Sequence, residues 1–138
     1  MVEFHILDAG NAARLMDAGV FDNPVDPAQL QSFVDDAGHL LVFATDGPGV
    51  VGFASGTILR HPDKDPVLFL NEVDVTPERQ REGIGRELCV RLMALAKDAG
   101  CQGTWLATEV DNAPARALYR SLRATESTGV VIYDWDAA

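Results

Sequence analysis

The chain has 138 residues, of which 47% are apolar, and its formal net charge at pH 7 is −10. This length and composition favour a single folded domain, expected over residues 1–138, and argue against intrinsic disorder. A strongly acidic protein repels phosphates, which excludes nucleic acid as a partner; the charge serves either to attract a cationic small substrate or only to aid solubility.

Neither a membrane span nor a leader is expected. No apolar run reaches the ~18 residues of a bilayer span, and the N-terminus lacks the basic start and apolar centre of a signal peptide. We therefore expect a cytoplasmic protein with no membrane partner. Cys89 and Cys101 stand apart from the scattered histidines, which favours buried structural thiols over a nucleophile or a metal ligand.

The first part of the chain predicts three strands and two helices. The strands are expected over residues 2–7, 40–45 and 50–59. One helix ends near Gly19, and the next is capped by Asp26 and stopped by Gly38. Gly52 and Gly56 lie inside a predicted strand, which indicates a bulge or a close backbone approach.

The second part predicts three more strands and two more helices. The strands are expected over residues 67–75, 104–110 and 130–135. Apolar residues at helical spacing predict a helix that starts at Ile84 and stops at Gly100, and Asn112 is expected to cap the last helix. This order predicts an α/β (α+β) protein whose mixed sheet carries helices on both faces.

A glycine pair follows the strand of residues 67–75. Pro77 ends the strand, a charged run follows, and Gly83 and Gly85 stand where the next helix begins. Glycines let a ligand approach the backbone, and a helix N-terminus offers unpaired N–H groups with partial positive charge. The segment therefore predicts a phosphate-binding site, the alternative being an ordinary turn. It lacks the third glycine of a Rossmann loop and the Gly-Lys-Ser/Thr of a P-loop.

Two motifs in the correct order resemble the GNAT superfamily of acyl-CoA-dependent N-acyltransferases. Gln80-Arg81-Glu82-Gly83-Ile84-Gly85 matches its Q/R-x-x-G-x-G/A loop, and Asn112, Ala115, Leu118 and Tyr119 match its N-x-x-A-x-x-L-Y helix. Residues 69–75, 111–119 and 133–136 look most like the aminoglycoside 3-N-acetyltransferase subgroup. Two positions depart from the family pattern: Glu82 stands where a basic residue or Gln is common, and Arg123 where Gly is common.

The resemblance implies a GNAT fold and acetyl-CoA as co-substrate. The implied fold is a mixed central sheet of about six to seven strands, splayed between its two central strands and flanked by four helices on both faces. The residues implied to contact the cofactor are Val73, Asp74, Val75, Gln80, Arg81, Glu82, Gly83, Ile84, Gly85, Arg86, Asn112, Ala115 and Tyr119. Asn112 also serves as a helix cap, and both roles can coexist.

Acetyl transfer to an amine needs a base, a polarised carbonyl and an acid for the leaving thiolate. By its place in the second motif, Tyr119 is the candidate acid, the alternative being a packed aromatic. Glu72 is the candidate base and Glu109 and Asp111 are rivals, unless a water chain serves instead. The acceptor is expected to meet a cluster of four carboxylates: Glu72, Asp74, Glu109 and Asp111.

We therefore expect an N-acetyltransferase acting on a primary amine of a small cationic acceptor, aminoglycoside or polyamine-like. The alternatives are acetylation of a peptide N-terminus or lysine, and a catalytically silent module that only binds CoA. A homodimer is a further expectation, with the terminal strand as the pairing edge.

Overall fold

The computed structural model describes residues 1–137. It divides into two compact units, the first being Met1–Leu106 and the second beginning at Ala107. The expectation of one domain over residues 1–138, whose last residue lies outside the described part, stays a prediction.

The first unit is built on a five-stranded sheet with the order β1-β2-β3-β4-β5. The strands are β1 Val2–Ile6, β2 His39–Asp46, β3 Gly49–Leu59, β4 Val67–Val75 and β5 Thr104–Trp105. The first three pairings are antiparallel and the last is parallel. Successive residues of β2, from Leu41 to Thr45, are all buried, which confirms a strand covered on both faces.

Two α-helices belong to this unit: α1 Pro27–Asp35 and α2 Ile84–Asp98. Asp26 caps α1 as predicted, because its carboxylate accepts from the backbone N–H groups of Ala28 and Gln29. Helix α2 packs against β2, β3 and β4 through a buried stripe at helical spacing. The stripe consists of Ile84, Leu88, Cys89, Leu92 and Ala96.

A second buried cluster lies elsewhere on the sheet. It is formed by Leu15, Val20, Leu41, Phe43 and Phe53. Both cysteines are buried and unpaired, and burial raises the pKa of the Cys89 thiol to about 11. This confirms the prediction of structural thiols.

The second unit contains α3 Ala113–Ser121. Asn112 caps it as predicted, since its Oδ1 accepts from the Ala115 N–H at 3.2 Å. After the helix, Arg116 and Arg120 both donate to Glu126, and these bonds lower the pKa of the Glu126 carboxyl to about 2.

Two predicted elements, one helix and one strand, do not form and a third is shortened, so the sheet has five strands rather than six to seven, and the α-helices number three rather than four within residues 1–137. The first predicted helix is only a 3-10 turn, Ala12–Leu15, because the Asn11 side chain bonds back to Asp8 and Ile6 and leaves the N–H groups of the first turn without a cap. The strand expected over residues 104–110 stops at Trp105, since its ladder with β4 ends there.

The final strand predicted over residues 130–135 is also absent. Its alternating apolar residues fit a strand, but a strand needs a partner for its backbone groups, and none pairs with it within residues 1–137. Its apolar side chains are 69–85% exposed. No helix of the described chain has the length and apolar character that crossing a membrane requires.

Candidate active site

Strand β4 changes its inside-outside alternation at a β-bulge. Ser55 of β3 pairs with Glu72 and Gly56 pairs with Leu70, so Asn71 is the extra residue. Upstream of the bulge, Leu68 and Leu70 are buried. Downstream, Glu72 lies exposed, although without the bulge its even number would place it on the same face as the leucines. The bulge therefore explains how carboxylates follow core residues on one strand.

Glycine makes the bulge possible. A Cβ atom at Gly56 would lie 2.7 Å from Leu68 Cδ1 and 2.9 Å from the Phe69 carbonyl oxygen. Contacts this short do not occur with real side chains, so only glycine fits beside β4 here. The prediction of a bulge or close approach at this position is confirmed.

Two carboxylates of β4, Glu72 and Asp74, have raised pKa values. Partial burial raises the pKa of Glu72, and the charges of Asp22 and Asp74 raise it further. Partial burial and Asp22 also raise the pKa of Asp74, against a lowering bond from the Val75 N–H. Asp22 was not among the predicted site residues, because it lies in an irregular segment without a motif. These carboxylates are therefore suited to bind a cation or to accept a proton.

The free side of β4 continues past its parallel partner. The ladder between β4 and β5 has only two residue pairs, Leu68–Thr104 and Phe69–Trp105. From Leu70 to Val75 the strand has no partner on that side of the sheet within residues 1–137. Backbone groups of Val73 are therefore placed where an extended ligand could bond to them, whereas the Val75 N–H donates to Asp74 Oδ1 at 2.9 Å and the Val75 carbonyl accepts from Gln80 at 3.0 Å.

The glycine pair forms the turn into α2, as predicted. Gly83 is the N-cap and has a left-handed φ of 83°, and Arg81 also has a positive φ of 65°. The Gln80 side chain donates to the Val75 carbonyl at 3.0 Å, which ties the turn to β4. Within residues 1–137, no protein acceptor is found for the backbone N–H groups of residues 81–85. Such a row of donors at a helix start suits an anion.

The charged residues of this turn divide into paired and unpaired ones. Arg79 donates to Glu82 at 3.1 Å and also bonds to Asp46, and these bonds raise the pKa of Arg79. Arg81 and Arg86 enter no ion pair within residues 1–137. The acidic Glu82 is thus compensated inside the protein, and two arginines are left for a bound anion.

The second unit holds the remaining predicted site residues. The Asn112 side chain bonds to both Ala115 and Thr108, and the carbonyls of Glu109 and Asp111 accept backbone bonds at the start of α3. Tyr119 is half-buried on α3. The structure therefore groups Glu109, Asp111 and Asn112 at the start of α3 and places Tyr119 near its other end, while their cooperation with Glu72 stays a prediction.

Comparison with known proteins identifies the family of this chain. The sequence profile described as Acetyltransferase (GNAT) family matches residues 10–123. The chain belongs to the GNAT acetyltransferase family, and it is an acyltransferase that uses acetyl-CoA.

Two curated relatives are acetyltransferases. The aminoglycoside N(6′)-acetyltransferase type 1 of Stenotrophomonas maltophilia is 34% identical over 134 residues, covering 91% of this chain and 86% of that protein. The mycothiol acetyltransferase of Arthrobacter sp. strain FB24 is 33% identical over 132 residues, covering 94% of this chain but only 38% of that protein. The first relative is named for the 6′ position, so the likeness to the 3-N subgroup is not confirmed.

One solved structure shows the same fold. The aminoglycoside acetyltransferase meta-AAC0020, from an uncultured soil metagenomic sample, superposes with a TM-score of 0.84 at 18% identity. The match covers 99% of this chain and 97% of that one. The GNAT-like α/β fold is therefore confirmed, with five strands.

Proposed function

We propose that this enzyme transfers the acetyl group of acetyl-CoA to a primary amine of a small cationic acceptor, aminoglycoside or polyamine-like. The observation that carries this proposal is the pair of carboxylates, Glu72 and Asp74, on the outward face of β4 beside Asp22. Binding of a cation or uptake of a proton lowers the repulsion between these carboxylates and the cost of keeping them charged while partly buried. A relative that acts on aminoglycosides supports the acceptor class.

The donor would lie along the turn and the free side of β4. The N–H groups of residues 81–85 face no protein acceptor within residues 1–137 and suit the diphosphate, with Arg81 and Arg86 adding charge. The pantetheine arm would bond to Val73 in strand fashion, and to Val75 by replacing the side chains of Asp74 and Gln80 that bond to it. A backbone N–H of the same strand would polarise the thioester carbonyl.

The reaction needs three proton transfers. The acceptor ammonium first gives a proton to a base, for which Glu72 is proposed because its pKa is raised. The amine nitrogen then bonds to the thioester carbon, and the carbon–sulfur bond breaks. Tyr119 gives its phenolic proton to the departing thiolate, and the second proton lost by the newly bonded nitrogen restores the phenol. Glu109 and Asp111 are the rival bases.

Tyr119→Phe tests the acid. Loss of the hydroxyl removes the proton donor, so kcat should fall on the order of 100-fold while acetyl-CoA still binds in calorimetry. Tyr133→Phe, at the other tyrosine of the chain, is the matched control and should keep its turnover. Unchanged turnover in the Tyr119 variant would remove this residue from the mechanism.

CoA release over a panel of acceptors tests the function itself. Aminoglycosides, polyamines, peptides with free N-termini and lysine peptides are compared with the purified protein. Turnover with cationic small amines supports the proposal, and turnover only with peptides supports the peptide alternative. Binding of acetyl-CoA with no CoA release would indicate a silent module. For an aminoglycoside product, NMR would distinguish acetylation at the 6′ amine, which the relative favours, from acetylation at the 3 amine.

We also propose a cytoplasmic homodimer. Two buried, unpaired cysteines suit a reducing compartment. Residues 130–135 expose Val130, Val131, Ile132, Tyr133 and Trp135 without a strand partner within the described chain, which suits pairing with a second copy. In sedimentation equilibrium, Ile132→Asp should give a monomer and Asp134→Asn should not. A monomeric unaltered chain would contradict the dimer.

A further inference from the structure

Arg79 joins the turn before α2 to a distant hairpin. Its Nε atom donates to both carboxylate oxygens of Glu82, at 3.3 and 3.1 Å, and its Nη1 atom donates to Asp46. Asp46 ends β2, at the hairpin that leads into β3. The Arg79 side chain is 24% exposed and its partners Asp46 and Glu82 are 40% and 45% exposed, so the bridge lies at the surface and its role is to fix geometry rather than to add much stability.

The far end of the bridge is itself held in place. Arg14, in the 3-10 turn Ala12–Leu15, donates to the carbonyl of Gly47 at 3.2 Å. The hairpin is thus bonded on successive residues, Asp46 and Gly47, by arginines from two different segments. A fixed hairpin gives Arg79 a firm anchor from which to hold Glu82.

The bridge matters because Glu82 lies within the row of free N–H groups. A free carboxylate there would repel a diphosphate, and the bond from Arg79 both compensates its charge and turns it toward the hairpin. The same bond joins a residue before Arg81 to the residue after it, and so holds the backbone of the turn in place. The φ of Arg81, 65°, is strained for a residue with a side chain.

We propose that Arg79 is a positioning residue for the cofactor, which acts through Glu82 rather than by touching the diphosphate. The inference rests on the binding of acetyl-CoA at this turn. The two acidic residues have different roles: Asp46 holds the Arg79 guanidinium in place, and the charge of Glu82 is compensated by that guanidinium. Arg81 and Arg86 remain the cations that meet the ligand.

A double-mutant cycle separates these roles. Acetyl-CoA is titrated by calorimetry into the unaltered chain, Arg79→Gln, Glu82→Gln and the double variant. We expect Arg79→Gln to weaken binding roughly tenfold, because it frees the Glu82 carboxylate, and the double variant to recover most of that loss. Asp46→Asn should weaken binding by a smaller factor. Arg91→Gln, which breaks a comparable pair with Glu87 on α2, is the control and should bind normally.

A second readout distinguishes positioning from general destabilisation. S-acetylpantetheine lacks the diphosphate, so Arg79→Gln should leave its KM unchanged while raising the KM for acetyl-CoA. Equal losses from Arg79→Gln with and without Glu82 would show direct phosphate contact and overturn the proposal, as would no loss at all. If Arg79→Gln fails to fold, Arg79→Lys gives the same comparison, since lysine cannot bridge both carboxylates. No binding by the unaltered chain would contradict the cofactor site itself.

Discussion

Arg123 follows α3 with a backbone φ of 65°, in the left-handed region. The GNAT family commonly has glycine at this position, and here an arginine adopts the backbone conformation that favours glycine. The N–H of Arg123 still bonds to the Arg120 carbonyl at 2.9 Å, so the helix ends in the usual way. The departure noted in the sequence therefore changes the strain at this position and not the path of the chain.

Replacing this arginine with glycine should stabilise the protein. Relief of the left-handed strain outweighs the added freedom of the unfolded chain, so Arg123→Gly should raise the free energy of unfolding by about 0.5–1 kcal/mol. Urea denaturation measures the change. Ala124→Gly, one residue on and without a positive φ, should give no gain. A loss of stability in Arg123→Gly would contradict the strain.

Glu72 should show a conflict between stability and activity. Its pKa is raised by folding, so the folded protein binds this proton more tightly, and the charged form costs stability above the raised pKa. Glu72→Gln should therefore stabilise the protein at pH 7 by about 0.5 kcal/mol, and the gain should vanish as the pH falls below about 4. Urea denaturation at both pH values measures the gain.

The same variant should lose turnover. Among single changes at the candidate carboxylates, Glu72→Gln should lower kcat with a fixed amine the most, because the base is removed. Glu3→Gln, at an exposed carboxylate of β1, is the control and should change neither stability nor rate. Unaltered kinetics at Glu72 would pass the role of base to Glu109, Asp111 or water.

At the scale of elements, the bulge in β4 depends on Gly56. Gly56→Ala forces a Cβ against the Phe69 carbonyl, so unfolding should become easier by about 1–3 kcal/mol. Thermal or urea unfolding measures this. Gly19→Ala, where an added Cβ meets nothing within 4 Å, is the control. Equal stability of the two variants would mean that β3 and β4 can separate without cost.

Elements whose limits are marked by their own residues could be predicted from the sequence, and elements that depend on pairing with a distant segment could not. Helix α2 carries its own apolar period, glycine start and glycine stop, so its limits followed from the sequence alone. Residues 130–135 have equally good strand alternation, yet pairing depends on a neighbour that the alternation does not specify. In the site, the turn at Gly83 followed from its glycines. Asp22 and the bridge of Arg79 to Asp46 depend on folding distant segments together.

For the whole molecule, the net charge of −10 should govern encounter with the acceptor. A polycationic amine is attracted from a distance, and salt screens that attraction. Its KM should therefore rise several-fold when ionic strength goes from about 20 to 300 mM, well past the range where the Debye length shrinks below ~10 Å. Steady-state kinetics measure this, with a monoamine as the control. Equal salt dependence for both amines would show that the acidic surface serves only solubility.

Asn71 shifts the inside-outside alternation of β4 by one residue. Before it, even-numbered side chains face the core, and after it the partly buried ones are the odd-numbered Val73 and Val75. Deleting this one residue would restore a uniform strand without moving either set, because Glu72 would then follow Leu70 directly and would still alternate to the outward face. Keeping Asn71 but bringing it into the ladder would instead turn the acids toward the leucines' side, so a relative that keeps this residue and lacks the bulge would offer no carboxylates to an amine.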